Sequence, residues 1–278
     1  MHITYEQLME LISRGVPKKQ VKGVHLRDCD NFKKIKGAMH SGLYIGSPGK
    51  DIFLMLPYLD DKKKEEVADL LSDQFPSKPP SNHVNTAACI RFIYGQFEKQ
   101  GTLRSDQDFK KMKEEPPDWN LPREFISILK KCFEKKRKYY GLSILAEMEG
   151  HRLGDEYRIN NDITKLEDME KKYIESVKYA YKCKSYKQMF TPYFWASMYF
   201  IKAKNRSKAL GYCKLTISNA EKYCPDSRPS YVDKLFKCLN YIRKKDKENW
   251  KEYYKTLKKS CKNKCLKNTI KKMEKKKD

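Results

Sequence analysis

A chain of 278 residues with 39% hydrophobic and 12% aromatic side chains is long enough for one large or two modest cores, and its composition excludes a disordered chain. Only 12 Gly and 12 Pro interrupt it, which favours long helices over many short strands. The net charge of +24 is unevenly placed: residues 201–278 hold 25 Lys and Arg against 8 Asp and Glu, a one-sided excess that predicts a polyanionic partner, with nucleic acid ahead of an anionic membrane surface or an acidic protein.

The first predicted element is a helix. Thr4 and Gln7 have capping-box spacing, Tyr5, Leu8, Leu11 and Ile12 share one face, and Gly15 ends it. From Val16 to Pro57 the pattern is irregular, with a short hairpin expected about Gly46–Gly49. Asp60 or Asp61 caps a second helix whose face is Val67, Leu70, Leu71 and Phe75; Pro76, Pro79 and Pro80 forbid its continuation. Another runs from Asn82 or Asn85 through Ile90, Ile93, Tyr94 and Phe97 to Gly101. The Pro-rich EEPPDWNLPRE then marks a boundary. It divides a mostly helical region 1–113 and a linker 114–121 from a helical-repeat-like domain 122–256, which a Lys-rich tail 257–278 follows.

Past the boundary every segment reads as helix. Phe125, Leu129, Cys132 and Phe133 follow Pro122 at helical spacing, and Leu142, Leu145, Ala146 and Met148 follow Gly141. Asp162 caps a helix with the stripe Leu166, Met169, Tyr173, Val177 and Tyr181. Two more flank the polar KNRS at 204–207; Val232, Leu235, Phe236, Leu239 and Ile242 mark another, and Trp250, Tyr254, Leu257 and Cys261 a last one. Amphipathic helices with short polar connections bury themselves most simply as antiparallel pairs, so the predicted fold is all-α.

Within 194–225, Trp195, Ala196, Tyr199, the KNRS turn, Ala209, Ala220 and Pro225 fall in the order of a tetratricopeptide helix pair, which this stretch resembles. Ala209 and Ala220 stand further apart than in that family's pattern, so the second helix is expected to be about a turn longer. The resemblance implies stacked helix pairs and a groove that takes an acidic peptide.

Catalytic patterns mostly fail. GSPGKD at 46–51 lacks the first Gly of a phosphate loop, where Tyr44 stands, and has Asp51 in place of the magnesium-binding hydroxyl. His151 stands four residues before Asp155, a spacing that lets a carboxylate orient an imidazole on a helix, but no nucleophile or cofactor loop accompanies them. Of the nine cysteines, at 29, 89, 132, 183, 213, 224, 238, 261 and 265, no two have CxxC spacing, and Cys261 with Cys265 is two ligands short of a closed zinc site. They read as reduced thiols of a cytoplasmic or nuclear protein, with neither metal nor cofactor expected. The longest wholly apolar run, IFLML at 52–56, is too short to span a bilayer.

The basic-aromatic stretches remain: KKRKYY at 135–140, KYAYKCKSYK at 178–187, and the material from Phe194 to Lys264. Lysines neutralise phosphates and exposed rings stack on unpaired bases, and a single-strand groove needs both. The expected function is non-catalytic binding of RNA or another polyanion. Its candidate phosphate contacts are Lys202, Lys204, Arg206, Lys208, Arg243, Lys244, Lys245 and Lys247, and its candidate stackers are Trp250, Tyr253 and Tyr254. The alternatives are a tetratricopeptide-like scaffold for an acidic protein partner, or a nucleocapsid or matrix protein of viral type.

Overall fold

The computed structural model describes residues 55–77, 120–223, 229–260 and 262–275, with positions 5, 6, 9, 52, 90, 93 and 114. Apart from those positions, the first predicted helix, the hairpin, the helix from 82 to 101 and the linker interior lie outside the described residues, as does Cys261. Every regular element among the described residues is helical, and the fold is all-α. After a short 3-10 turn at Leu56–Tyr58 come α1 (Asp61–Gln74), α2 (Asn120–Lys135), α3 (Tyr139–Asn160), α4 (Ile163–Lys182) and α5 (Tyr186–Lys202). They are followed by α6 (Arg206–Tyr223), α7 (Pro229–Lys245), α8 (Lys247–Ser260) and α9 (Lys264–Lys275). α5 and α6 form an antiparallel pair.

The chain forms two compact units: Met1–Met148 with Arg158–Asn161, and Glu149–Tyr157 with Asp162–Asp278. In the first, α1 begins where the Asp60 carboxylate accepts the Lys63 amide at 2.8 Å. It ends at Phe75, whose extended backbone is what the following Pro76 demands. Val67, Ala68, Leu71 and Phe75 bury against the α2 face of Phe125, Leu129 and Phe133, with the Phe75 and Phe133 rings 4.9 Å apart. The Lys136 ammonium closes the pair by bridging Asp69 and Asp73 at 2.8 Å each.

The second unit is built on close helix approaches. Its part of α3 carries Gly150 and Gly154, and a Cβ on Gly150 would lie 2.7 Å from the Tyr173 ring of α4; on Gly154 it would lie closer still to the Tyr199 ring of α5. Each Gly costs a helix interior about 1 kcal/mol, and the rings laid against the bare backbone offset it. α5 and α6 pack on one another, and Ala196 of α5 and Ala209 and Ala220 of α6 are all fully buried. Leu235, Cys238, Leu239 and Ile242 of α7 continue the core. Helix extends into the stretch expected to be a Lys-rich tail: Cys265, Leu266, Thr269, Ile270 and Met273 form the buried stripe of α9, which packs on α7, and Asn263 caps it.

Three of the tight turns repeat one geometry. Arg137, Lys184 and Lys204 take left-handed backbone angles, φ 53°, 57° and 57°. The next residue's amide returns to a carbonyl of the preceding helix: Lys138 to Phe133 at 2.8 Å, Ser185 to Ala180 at 2.8 Å and Asn205 to Phe200 at 3.0 Å. This is the Schellman closure, whose left-handed position usually falls to Gly because a side chain there costs roughly 1–2 kcal/mol. A cation at that place faces the negative end of the helix dipole, which returns part of the cost.

Candidate functional site

The structure brings the two predicted lysine clusters to one end of the second unit. Lys202, Lys204, Arg206 and Lys208, at the α5–α6 turn, are all exposed. The Arg206 guanidinium donates to the Lys245 carbonyl at the end of α7, so this turn abuts the α7–α8 turn, where Lys244, Lys245 and Lys247 are exposed and Arg243 is half-buried. The members are not equivalent. Lys208 forms an ion pair with Glu170 of α4 and lies 5.1 Å over the Phe200 ring, while Arg243 donates to Asn240 at 2.8 Å. Lys214 meets Asp246 at 2.9 Å, which together with the Asn249 amide holds the Asp246 carboxyl below its usual range. Lys204, Lys244, Lys245 and Lys247 present their ammonium groups to solvent at this end.

The three candidate stackers lie on the inner face of α8. Trp250, Tyr253 and Tyr254 are half-buried and Leu257 is buried, and together they occupy i, i+3, i+4 and i+7 of one helical stripe. The Trp250 ring centre is 5.0 Å from that of Tyr254 and 6.4 Å from that of Tyr253. Burial pushes the Tyr253 phenol up, and the Lys214 ammonium lies 5.9 Å from its ring centre. The opposite face of α8 exposes Lys251, Lys255, Lys258 and Lys259, of which Lys258 pairs with Glu274 at 2.7 Å.

His151 and Asp155 are each tied to a tyrosine. The Tyr173 hydroxyl lies 2.8 Å from His151 Nδ1, and the Tyr199 hydroxyl donates to Asp155 at 2.8 Å. The His151 ring also sits edge-on to Trp195, at 5.2 Å. These bonds fasten the part of α3 about His151 and Asp155 to α4 and α5. Cys213 and Cys238 meet in the core between α6 and α7, both fully buried, with the Cys238 sulfur 3.8 Å from the Ser197 hydroxyl. Burial raises the Cys238 thiol well above its ordinary range. The GSPGKD stretch lies outside the described residues.

One exposed ring sits where a core residue was expected. Leu166, Met169 and Tyr173 of α4 are buried and Val177 is half-buried, but Tyr181 is 64% exposed. Steps of four residues advance 400° around a helix, so Val177 and Tyr181 rotate progressively out of the seam. Ser176 and Ala180, at steps of three and four, stay in it, and their small side chains let α4 approach its neighbours.

Comparison with protein-family models finds no match, and comparisons with curated proteins and with solved structures find none either. No helix among the described residues is long and apolar enough to cross a membrane.

Proposed function

We propose that this is a non-catalytic binding protein that holds RNA, or another polyanion, on the basic surface of its C-terminal helices. The observation that carries the reading is charge imbalance on folded, exposed helix faces. α6 to α9 hold 19 Lys and Arg against 5 Asp and Glu, and two of those five, Asp233 and Glu274, are already engaged by Lys272 and Lys258. A face that serves only solubility mixes its signs, as residues 51–100 do with 6 basic and 8 acidic side chains. Lysines on helices also have their stems supported by packing, so less freedom is lost when each meets a phosphate than from a loose tail.

A second reading, a tetratricopeptide-like scaffold for an acidic peptide, draws support from the α5–α6 pair, where Ala196, Ala209 and Ala220 are all fully buried. Salt dependence of binding to a single-stranded oligouridylate separates the two. Six neutralised phosphates give a log–log slope of about −4, at about −0.7 for each phosphate on a single strand. A slope shallower than about −1, with tight binding of an acidic peptide under the same conditions, transfers the conclusion to the scaffold.

A further inference from the structure

The C-terminal half of α4 presents a feature that the lysine clusters at the other end of α5 do not share. An open hollow of about 530 Å³ is lined by Val177, Lys178, Tyr179, Tyr181 and Lys182 of α4, with Glu175 beside them and Met189 of α5 opposite. Tyr181 at its rim is 64% exposed, and Ile174, one turn before Val177, Lys178 on the same helix, is 40% exposed. Lys178 and Lys182 of its lining are both exposed, and the Lys182 ammonium stands 5.8 Å from the Tyr179 ring centre. The single carboxylate of the lining, Glu175, is engaged by Lys172 at 2.8 Å, which leaves the rim basic.

We infer that this hollow is a base-binding subsite for single-stranded nucleic acid: an unpaired base stacks on Tyr181 against the apolar wall of Val177 and Met189, and the flanking phosphates lie against Lys178 and Lys182. The inference rests on the polyanion reading of the previous section and adds to it a place where bases, not only phosphates, are recognised. An exposed ring beside two cations matches the two needs of single-strand binding, a stacking platform and a backbone track. The hollow has the volume of an ordinary small-ligand site, ample for one base with its sugar. Trp250, Tyr253 and Tyr254 offer less ring surface, because their inner sides are packed.

The test uses the full chain and two probes, a fluorescent twelve-nucleotide oligouridylate and inorganic polyphosphate of matching charge, which has no bases. Tyr181→Ala is expected to weaken oligouridylate binding about 5- to 150-fold, the range for loss of one base–aromatic stack, and to leave polyphosphate binding within about two-fold. Tyr181→Trp is expected to restore the oligouridylate affinity, and both variants should melt with wild type because the ring is a surface ring. If Tyr181→Ala leaves oligouridylate affinity unchanged while removal of lysines still weakens it, the subsite is overturned and the polyanion reading survives. If the wild-type protein binds polyphosphate as tightly as oligouridylate, base recognition is likewise overturned. If it binds neither, both conclusions fall.

Discussion

Reversing Lys244, Lys245, Lys247 and Lys251 to Glu is expected to weaken oligouridylate binding about 10²- to 10³-fold at about 0.1 M salt. For a single strand each neutralised phosphate contributes about 0.7 of a decade at that concentration through counterion release, so four contacts contribute nearly three decades. The salt slope should flatten by about 3 in the same variant. These four are chosen over the α5–α6 turn because their charges face solvent, whereas Lys208 is paired with Glu170 and Arg206 ties α6 to the end of α7. A Glu at 208 would oppose Glu170 and confuse lost binding with lost folding. The matched control reverses Lys62, Lys131, Lys135 and Arg137, which are exposed on the first unit. It changes net charge equally and should move the affinity several-fold at most, through long-range attraction alone. Equal losses in the two variants would mean that charge acts diffusely and that the C-terminal helices have no special part.

Trp250→Ala is expected to lower stability by about 2 kcal/mol and to leave the salt slope of RNA binding unchanged. Complete burial of a Trp gives a truncation cost of about 3–5 kcal/mol, and this ring is half-buried on the stripe it shares with Tyr253, Tyr254 and Leu257, so about half of that applies. α8 packs on α7 at the edge of the unit, so the loss should appear first as faster hydrogen exchange along Lys247–Ser260. A variant that melts with wild type but binds oligouridylate about tenfold more weakly would put the indole on the nucleic acid instead, as a stacker.

How far the sequence can be read differs along the chain for physical reasons. Where apolar residues recur with a period close to 3.6 and a cap precedes them, the helix is legible: Asp60 opens α1, Asp162 opens α4, and Pro76 closes α1. Small residues are harder to place, because they carry little hydrophobic signal and yet decide how closely helices pack. Ser176 and Ala180 took the seam of α4 that the larger Val177 and Tyr181 were expected to fill, and Gly150 and Gly154, which break helices on propensity alone, sit inside α3 because two tyrosine rings need the space. In α9 the lysines at 264, 267, 271 and 272 mask a sound apolar stripe, since each apolar residue there stands beside at least one charge. The lysine clusters themselves were legible as composition, but their meeting through the Arg206–Lys245 bond depends on the antiparallel return of α6 and α7, which no local pattern encodes.

Ultraviolet crosslinking of a 5-bromouridine-substituted oligouridylate to the full chain, followed by mass spectrometry of the attached peptides, tests most directly whether the C-terminal helices carry the binding surface. Attachment is expected at Tyr181 and in peptides of Lys202–Lys208 and Arg243–Lys259, competed by unlabelled RNA and suppressed by salt. Crosslinks confined to α1 and α2, or scattered along the chain without regard to the basic helices, would contradict this placement.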